Sequence, residues 1–514
     1  MSRALVLGCL AVLFLAGGPA WAEEPPPPPA PPAGVVEGAS AAPPPVLPPK
    51  NVTNEVGQWA EGAASPGSNL KQSLTSDQPI DPDQVLRAVP PGDTARVLSP
   101  WTGSVRLRYR LRTTDDPDSY YETDNDLYAF LRVKYRDENL PGWSGSFHGR
   151  MTLDLDEFGD VQGFNVFDSI WDTYDNRLNG RVFHAYANYH FCNGCVSDIR
   201  FGRMWEDVGE YVTFDGVRVE SSRFGSSKIG FAALMGIPYY FYETDRSGNF
   251  ITGGQVFANP WRGAEMGLDW TYFKNADTVY GYRDNHLFNL TWNQRIGQTT
   301  MARLQYQHLD EEARLVRAIV DSTLPNSDVV LRGYFYSLLN YQAEMVYDLD
   351  SYYWTALALE PYWTANASAS KGIGNCFDVE GGFTIRRLYD SADEGTFNRE
   401  FEQYFLAAGS YDWLLPGLSL TLSGEYWNST DDFYTGIFDV EYRPSRTWKF
   451  VLGTDYSAYS YDLFADAERV DVYSVFGRVG YRPSPKWYFD LRCRVENDDY
   501  GTYTIFDATA QWNF

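Results

Sequence analysis

A chain of 514 residues with 16% aromatic side chains, 37 Tyr, 31 Phe and 16 Trp among them, is far longer than one small domain needs. Its formal net charge of −26 excludes nucleic acid as a partner, because phosphates demand a basic surface. The mean hydropathy is −0.38, and past the N-terminus no apolar run approaches the ~20 residues of a membrane helix, a combination that suits a transmembrane β-barrel, where half of each strand faces water.

Residues 1–22 read as a secretory signal peptide. Arg3 supplies the positive region, Ala4–Ala16 the apolar one, and Ala20-Trp21-Ala22 the cleavage site. Residues 23–50, EEPPPPPAPPAGVVEGASAAPPPVLPPK, are too rich in Pro and Ala to bury a core. They are expected to form an extended, polyproline-like linker in the periplasm. Residues 51–100 show little periodicity and are expected to be mostly disordered or weakly helical.

At Trp101 the texture changes, and alternation runs to the end of the chain. SVRLRYRLR puts Val105, Leu107, Tyr109 and Leu111 on one face of a strand and Arg106, Arg108, Arg110 and Arg112 on the other; a helix would scatter those arginines. LYAFLRVKYR sets Leu127, Ala129, Leu131 and Val133 against Arg132, Lys134 and Arg136. FHGRMTLDLD sets Phe147, Met151 and Leu153 against His148, Arg150 and Asp154. The acidic run TTDDPDSYYETDND (113–126) and the stretches 157–180 and 239–260 read as long outer loops. YRPSRTWKF (Tyr442–Phe450) recurs as YRPSPKWYF (Tyr481–Phe489), and Trp413-Leu414-Leu415-Pro416-Gly417 is a third turn of the kind. These read as short periplasmic turns flanked by interfacial aromatics, and their spacing divides residues 101–514 into about 20 antiparallel strands, with 16–22 as the range.

The chain ends TIFDATAQWNF, with Phe506, Ala508, Ala510, Trp512 and Phe514 on one face. A last amphipathic strand closing on Phe514, with Trp512 two residues before it, resembles the assembly signal of bacterial outer-membrane β-barrel proteins. The resemblance implies an all-β fold in the bacterial outer membrane, in contact with its lipid, inserted by the outer-membrane assembly machinery, with the Pro-rich N-terminus in the periplasm. A narrower resemblance lies in DIRFGRMWEDVGEYVTFDGVRVES (198–221). Its Gly202-Arg203 and Asp215-Gly216-Val217-Arg218 are similar to a strand pair of large porins and of alginate-export-type barrels, and imply an arginine-lined channel. The C-terminal repeats also resemble porin–cytochrome conduit barrels, which sheathe a multihaem cytochrome.

Function is then expected inside the barrel. The inward row carries Arg106, Arg108, Arg110, Arg112, Arg132, Lys134, Arg136, Arg150 and Arg200 near one end of the chain and Arg478, Arg482, Arg492 and Arg494 near the other. Closure makes them neighbours on one basic wall. Either they pair with inward acids such as Asp154, Asp490, Glu496 and Asp507, or they attract anions through a pore, or both. Two readings of the whole follow: a porin passing small, anionic solutes, and a non-catalytic sheath for a periplasmic or cytochrome partner. His148 and His190 share inward parity on consecutive strands and are candidates for a metal-binding pair. Cys192-Asn193-Gly194-Cys195 fits a small disulfide across a turn or a reduced pair; Val196 stands where haem attachment needs His. No nucleophile–base signature stands out, and neither enzyme activity nor a resident cofactor is expected.

Overall fold

The computed structural model describes residues 99–115, 123–136, 140, 142–155, 177–191, 194–209, 211–239, 248–275, 283–324, 327–340, 360–394, 399–429, 432–462, 467–498 and 501–514. The signal-peptide, linker and 51–98 expectations lie outside them. The chain order is β1 (Trp101–Thr114), β2 (Thr123–Arg136), β3 (Trp143–Asp154), β4 (Leu178–His190), β5 (Val196–Asp207), β6 (Tyr211–Ser221), β7 (Gly230–Pro238), β8 (Phe250–Ala258), β9 (Ala264–Asn275), β10 (Arg283–Ile296) and β11 (Thr300–Leu309). It continues with β12 (Glu312–Leu324), β13 (Val329–Leu338), β14 (Tyr362–Ile373), β15 (Phe377–Leu388), β16 (Phe401–Tyr411), β17 (Leu418–Asn428), β18 (Phe433–Tyr442), β19 (Trp448–Asp462), β20 (Ala467–Ser484), β21 (Trp487–Asn497) and β22 (Thr502–Asn513).

These form one 22-stranded antiparallel sheet in which each strand pairs with its sequence neighbours. β22 returns to β1, with Trp512 opposite Val105 and Thr504 opposite Thr113, so the sheet closes on itself. Closure satisfies the backbone groups that an edge would expose, a requirement in hydrocarbon. The count is the upper bound of the range the turn spacing gave. β8 falls inside the stretch 239–260 assigned to a loop, since FITGGQVFA has a Gly253-Gly254 pair that blurs its alternation.

The outward row is read from exposure. Leu107, Leu131, Met151, Phe201, Leu268, Leu304, Leu406 and Leu452 are all exposed, and their sequence neighbours face the other way. A Leu or Phe side chain left in water forgoes about 1.5–3 kcal/mol, so a belt of them around the sheet is stable only under lipid. This is the architecture of an outer-membrane β-barrel.

The two rims differ. At one, connections are short: Ser484 leads to Trp487, Ile296 to Thr300, and both YRPS turns and the Trp413–Gly417 turn lie here. Aromatic pairs ring it, with centroids 4.7 Å apart for Trp101–Tyr135, 4.9 Å for Trp143–Tyr189, 4.3 Å for Trp448–Tyr481 and 6.3 Å for Trp487–Trp512. Amphipathic rings collect where hydrocarbon meets water. The long connections, β3–β4, β13–β14 and β15–β16, are at the other rim.

Candidate functional site

On β1 the even-numbered row faces the lumen, and its arginines meet acids from both sides of the closure. Arg108 and Arg110 each direct Nε to Asp507 Oδ1 of β22, at 2.9 and 3.0 Å. Arg112 is buried between Asp124 and Asp126 of β2, the latter at 3.5 Å. The acidic run 113–126 therefore does not end in a solvated loop: a buried guanidinium needs a partner, and β2 starts early enough to supply two. Arg106 lies over the Phe130 ring at 4.1 Å.

The wall continues to either side. Arg150 of β3 is buried, with its guanidinium 5.8 Å from the Tyr128 ring and 5.9 Å from Phe183. Arg132 and Lys134 hold the inward row of β2 opposite His148 and Ser146. Arg478 donates to Asp490 at 2.7 Å and to Tyr488 Oη at 3.0 Å, and Arg492 donates to the other oxygen of Asp490 at 2.9 Å. Arg494 pairs with Asp455 of β19 at 2.9 Å and Glu496 at 3.3 Å. Arg200 pairs with Glu206 at 2.8 Å.

Other candidates fall elsewhere. Arg136 is the exposed last residue of β2, at the short-turn rim. Arg482 lies beside the β20–β21 turn, its backbone N–H donating to the Thr447 carbonyl. His148 does not meet His190. The antiparallel register sets it opposite His184, ring centroids 5.6 Å apart, while His190, at the far end of β4, faces Asp198 at 3.2 Å. Parity put His148 and His190 on one face; register, which parity does not carry, separates them. Cys195 is exposed at the β4–β5 turn, and Cys192 lies outside the described residues. Trp512 stacks near Phe514 at 5.0 Å, and the Phe514 backbone exchanges two 2.9 Å hydrogen bonds with Gly103 where the barrel closes.

A feature the alternation does not announce is an inward-folded hairpin. Val208 and Gly209, between β5 and β6, lie inside the lumen against the adjoining β8–β11 stretch of wall. The Gly209 carbonyl accepts from Gln307 Nε2 at 2.5 Å and Gln305 Nε2 at 3.3 Å, both of β11. Gln255 of β8 donates to the Asp207 carbonyl at 3.4 Å. Gly209 has φ +95°, and a Cβ there would meet Asn289 at 2.5 Å, so only glycine fits. Beneath the tip lies a buried apolar cluster of Met204, Val208, Val212, Phe214, Leu234, Ile251, Phe273, Leu287 and Leu309. The signal for it was LFNLTW: Leu287 and Phe288 make both faces of β10 apolar, as a strand covered on both sides requires.

No family model matches the chain, and no curated protein matches it. Solved structures do. The translocation pore of the P pilus usher PapC aligns over 80% of this chain and 99% of its own, at 9% identity and a TM-score of 0.45. Pseudomonas aeruginosa OpdK, crystallised with vanillate, aligns over 80% and 98% at 11% identity and 0.40. A BenF-like porin from Pseudomonas fluorescens aligns over 80% and 98% at 9% identity and 0.40. These are similarities of fold at low identity.

Proposed function

We propose that this barrel is an outer-membrane channel passing small anionic solutes along its arginine-rich wall. The observation that carries the reading is the sharing of carboxylates. Asp507 serves both Arg108 and Arg110, and Asp490 serves both Arg478 and Arg492, on a wall where the inward rows of β1–β3 and β20–β22 hold more basic side chains than carboxylates. Further round the lumen, Glu380, Glu425, Asp439 and Glu441 occupy the inward rows of β15, β17 and β18. A basic sector beside an acidic one sets a field within the passage. The function is passage over a low electrostatic barrier, without bond chemistry. The sheath reading is less favoured, because the hairpin tip occupies lumen that a seated cytochrome would need.

The test is reconstitution in planar bilayers. The wild type is expected to give stepwise conductance with anion preference. Arg106→Gln, Arg108→Gln and Arg110→Gln together are expected to shift reversal potentials towards cation preference, with the heat-modifiable gel mobility of a folded barrel retained. Unchanged selectivity would leave these arginines as structural pairs. A silent bilayer with co-purifying haem absorbance would favour the sheath.

A further inference from the structure

Between β4 and β5 the ladder is incomplete. Among the described residues it runs from His190–Asp198 to Ala185–Arg203 and stops, although β4 extends back to Leu178 and β5 on to Asp207. Two local features part the strands. β4 carries a bulge at Phe183, because His148 pairs with His184 while Gly149 pairs with Val182. β5 turns at Gly202, where φ is +120° and a Cβ would lie 2.3 Å from the Ala185 carbonyl oxygen. Past that point β5 leaves the wall to carry Val208 and Gly209 into the lumen.

Arg203 bridges the parting. Arg203 donates to the Val182 carbonyl across the seam at 3.1 Å and forks onto Asp215 of β6 at 2.7 and 2.8 Å. The Tyr239 ring covers its guanidinium at 3.8 Å. Arg203 follows the exposed, outward Phe201 and shares its row. An ion pair on the outward row of a strand is expensive to maintain in hydrocarbon.

We infer that the β4–β5 seam is a lateral portal joining the lumen to the long-loop half of the membrane, latched by Arg203 on Val182 and Asp215, and that it takes anionic amphiphiles. The inference rests on the channel reading and deepens it. Arg150, Arg181 and Arg200 stand on the lumenal side of the seam and make its inner mouth basic, which suits a carboxylate or sulfonate head. Phe201 stands exposed in the outward row beside it and suits an alkyl chain entering the hydrocarbon.

Single-channel recording of the full chain tests this, with dodecanesulfonate and propanesulfonate as probes at one aqueous concentration. The long probe is expected to interrupt the open current, and the short one to do so far less. Arg203→Gln with Asp215→Asn should raise the interruption frequency of the long probe about tenfold, equivalent to weakening the latch by about 1.4 kcal/mol. Arg387→Gln with Glu402→Gln removes a different outward ion pair and should change nothing. An unaltered frequency in the latch variant, or an equal rise in the control, overturns the portal. A second readout needs no conductance: benzoylphenylalanine at position 183, scored by capture of tritiated dodecanesulfonate in vesicles. Absence of capture overturns the portal. Capture in a barrel that gives no conductance steps removes the channel reading and keeps the portal.

Discussion

Two stretches of the lumenal surface follow the same alternation and have opposite chemistry. On β1–β3 and β20–β22 the inward row is arginine and acid, linked by short ion pairs such as Arg478–Asp490 at 2.7 Å. On β6–β11 the inward rows bury Phe214, Leu234, Ile251, Phe273, Leu287 and Leu309 together with polar neighbours such as Thr271, Asn289 and Gln307. The first surface stays polar because water reaches it. The second can hold an apolar cluster because a hairpin tip from its own chain covers it. In a barrel, then, "inward" names two environments, a wet wall and a packed one, and the energetics of a substitution depend on which of them holds the residue.

The sharpest way to break this distinction is at Arg112. Although it belongs to the basic wall, it is buried between Asp124 and Asp126. Arg112→Gln leaves two buried carboxylates without their cation and is expected to destabilise the barrel by about 3–5 kcal/mol. Urea titration of the folded, heat-modifiable band reads this. Arg108→Gln, by contrast, leaves Arg110 on Asp507, and should shift the midpoint by less than about 1 kcal/mol. Equal effects at the two positions would mean that the wall is uniformly wet.

Next in size is the packed wall. Leu287 is fully buried beneath the hairpin tip. Leu287→Ala should cost about 2–5 kcal/mol through lost burial and the cavity left behind. It should also enlarge single-channel conductance, because the tip loses part of its seat. A stability loss with unchanged conductance would show that Val208 and Gly209 do not narrow the passage.

Alternation carried the class of fold and the sidedness of each strand, because both follow from a period of two. The arginine row was legible for the same reason: Arg106 to Arg112 occupy four successive inward positions. Three things were not legible. Register decides partners, so His148 meets His184 rather than His190. Start points decide burial, so Asp124 and Asp126 pair with Arg112 and leave the acidic loop. The inward fold of Val208 and Gly209 depends on contacts with Gln305 and Gln307, about a hundred positions along the chain, which no local pattern encodes. Resemblance singled out Arg203 and Asp215, but only geometry puts them on the outward row as a bidentate pair.

The smallest effect expected is at the aromatic rim, and it sharpens the comparison by being the same behind the arginine wall and away from it. Trp487 lies against Phe489 at 5.9 Å and Trp512 at 6.3 Å, on the outside of the arginine wall. Trp413 lies against Phe377 at 5.4 Å, on another sector of the same rim. Replacing either with Leu keeps an apolar side chain in the belt and removes an aromatic pair, which is worth about 0.5–1.5 kcal/mol. Trp487 belongs to the outward row of β21, and Trp413 stands exposed in the β16–β17 turn against the exposed Phe377, so neither substitution should alter conductance or ion selectivity. The two stability losses should agree with each other within the error of the urea midpoint. If Trp487→Leu shifted selectivity while Trp413→Leu did not, the outer belt would be mechanically coupled to the basic wall, and outward and inward rows could no longer be treated as independent.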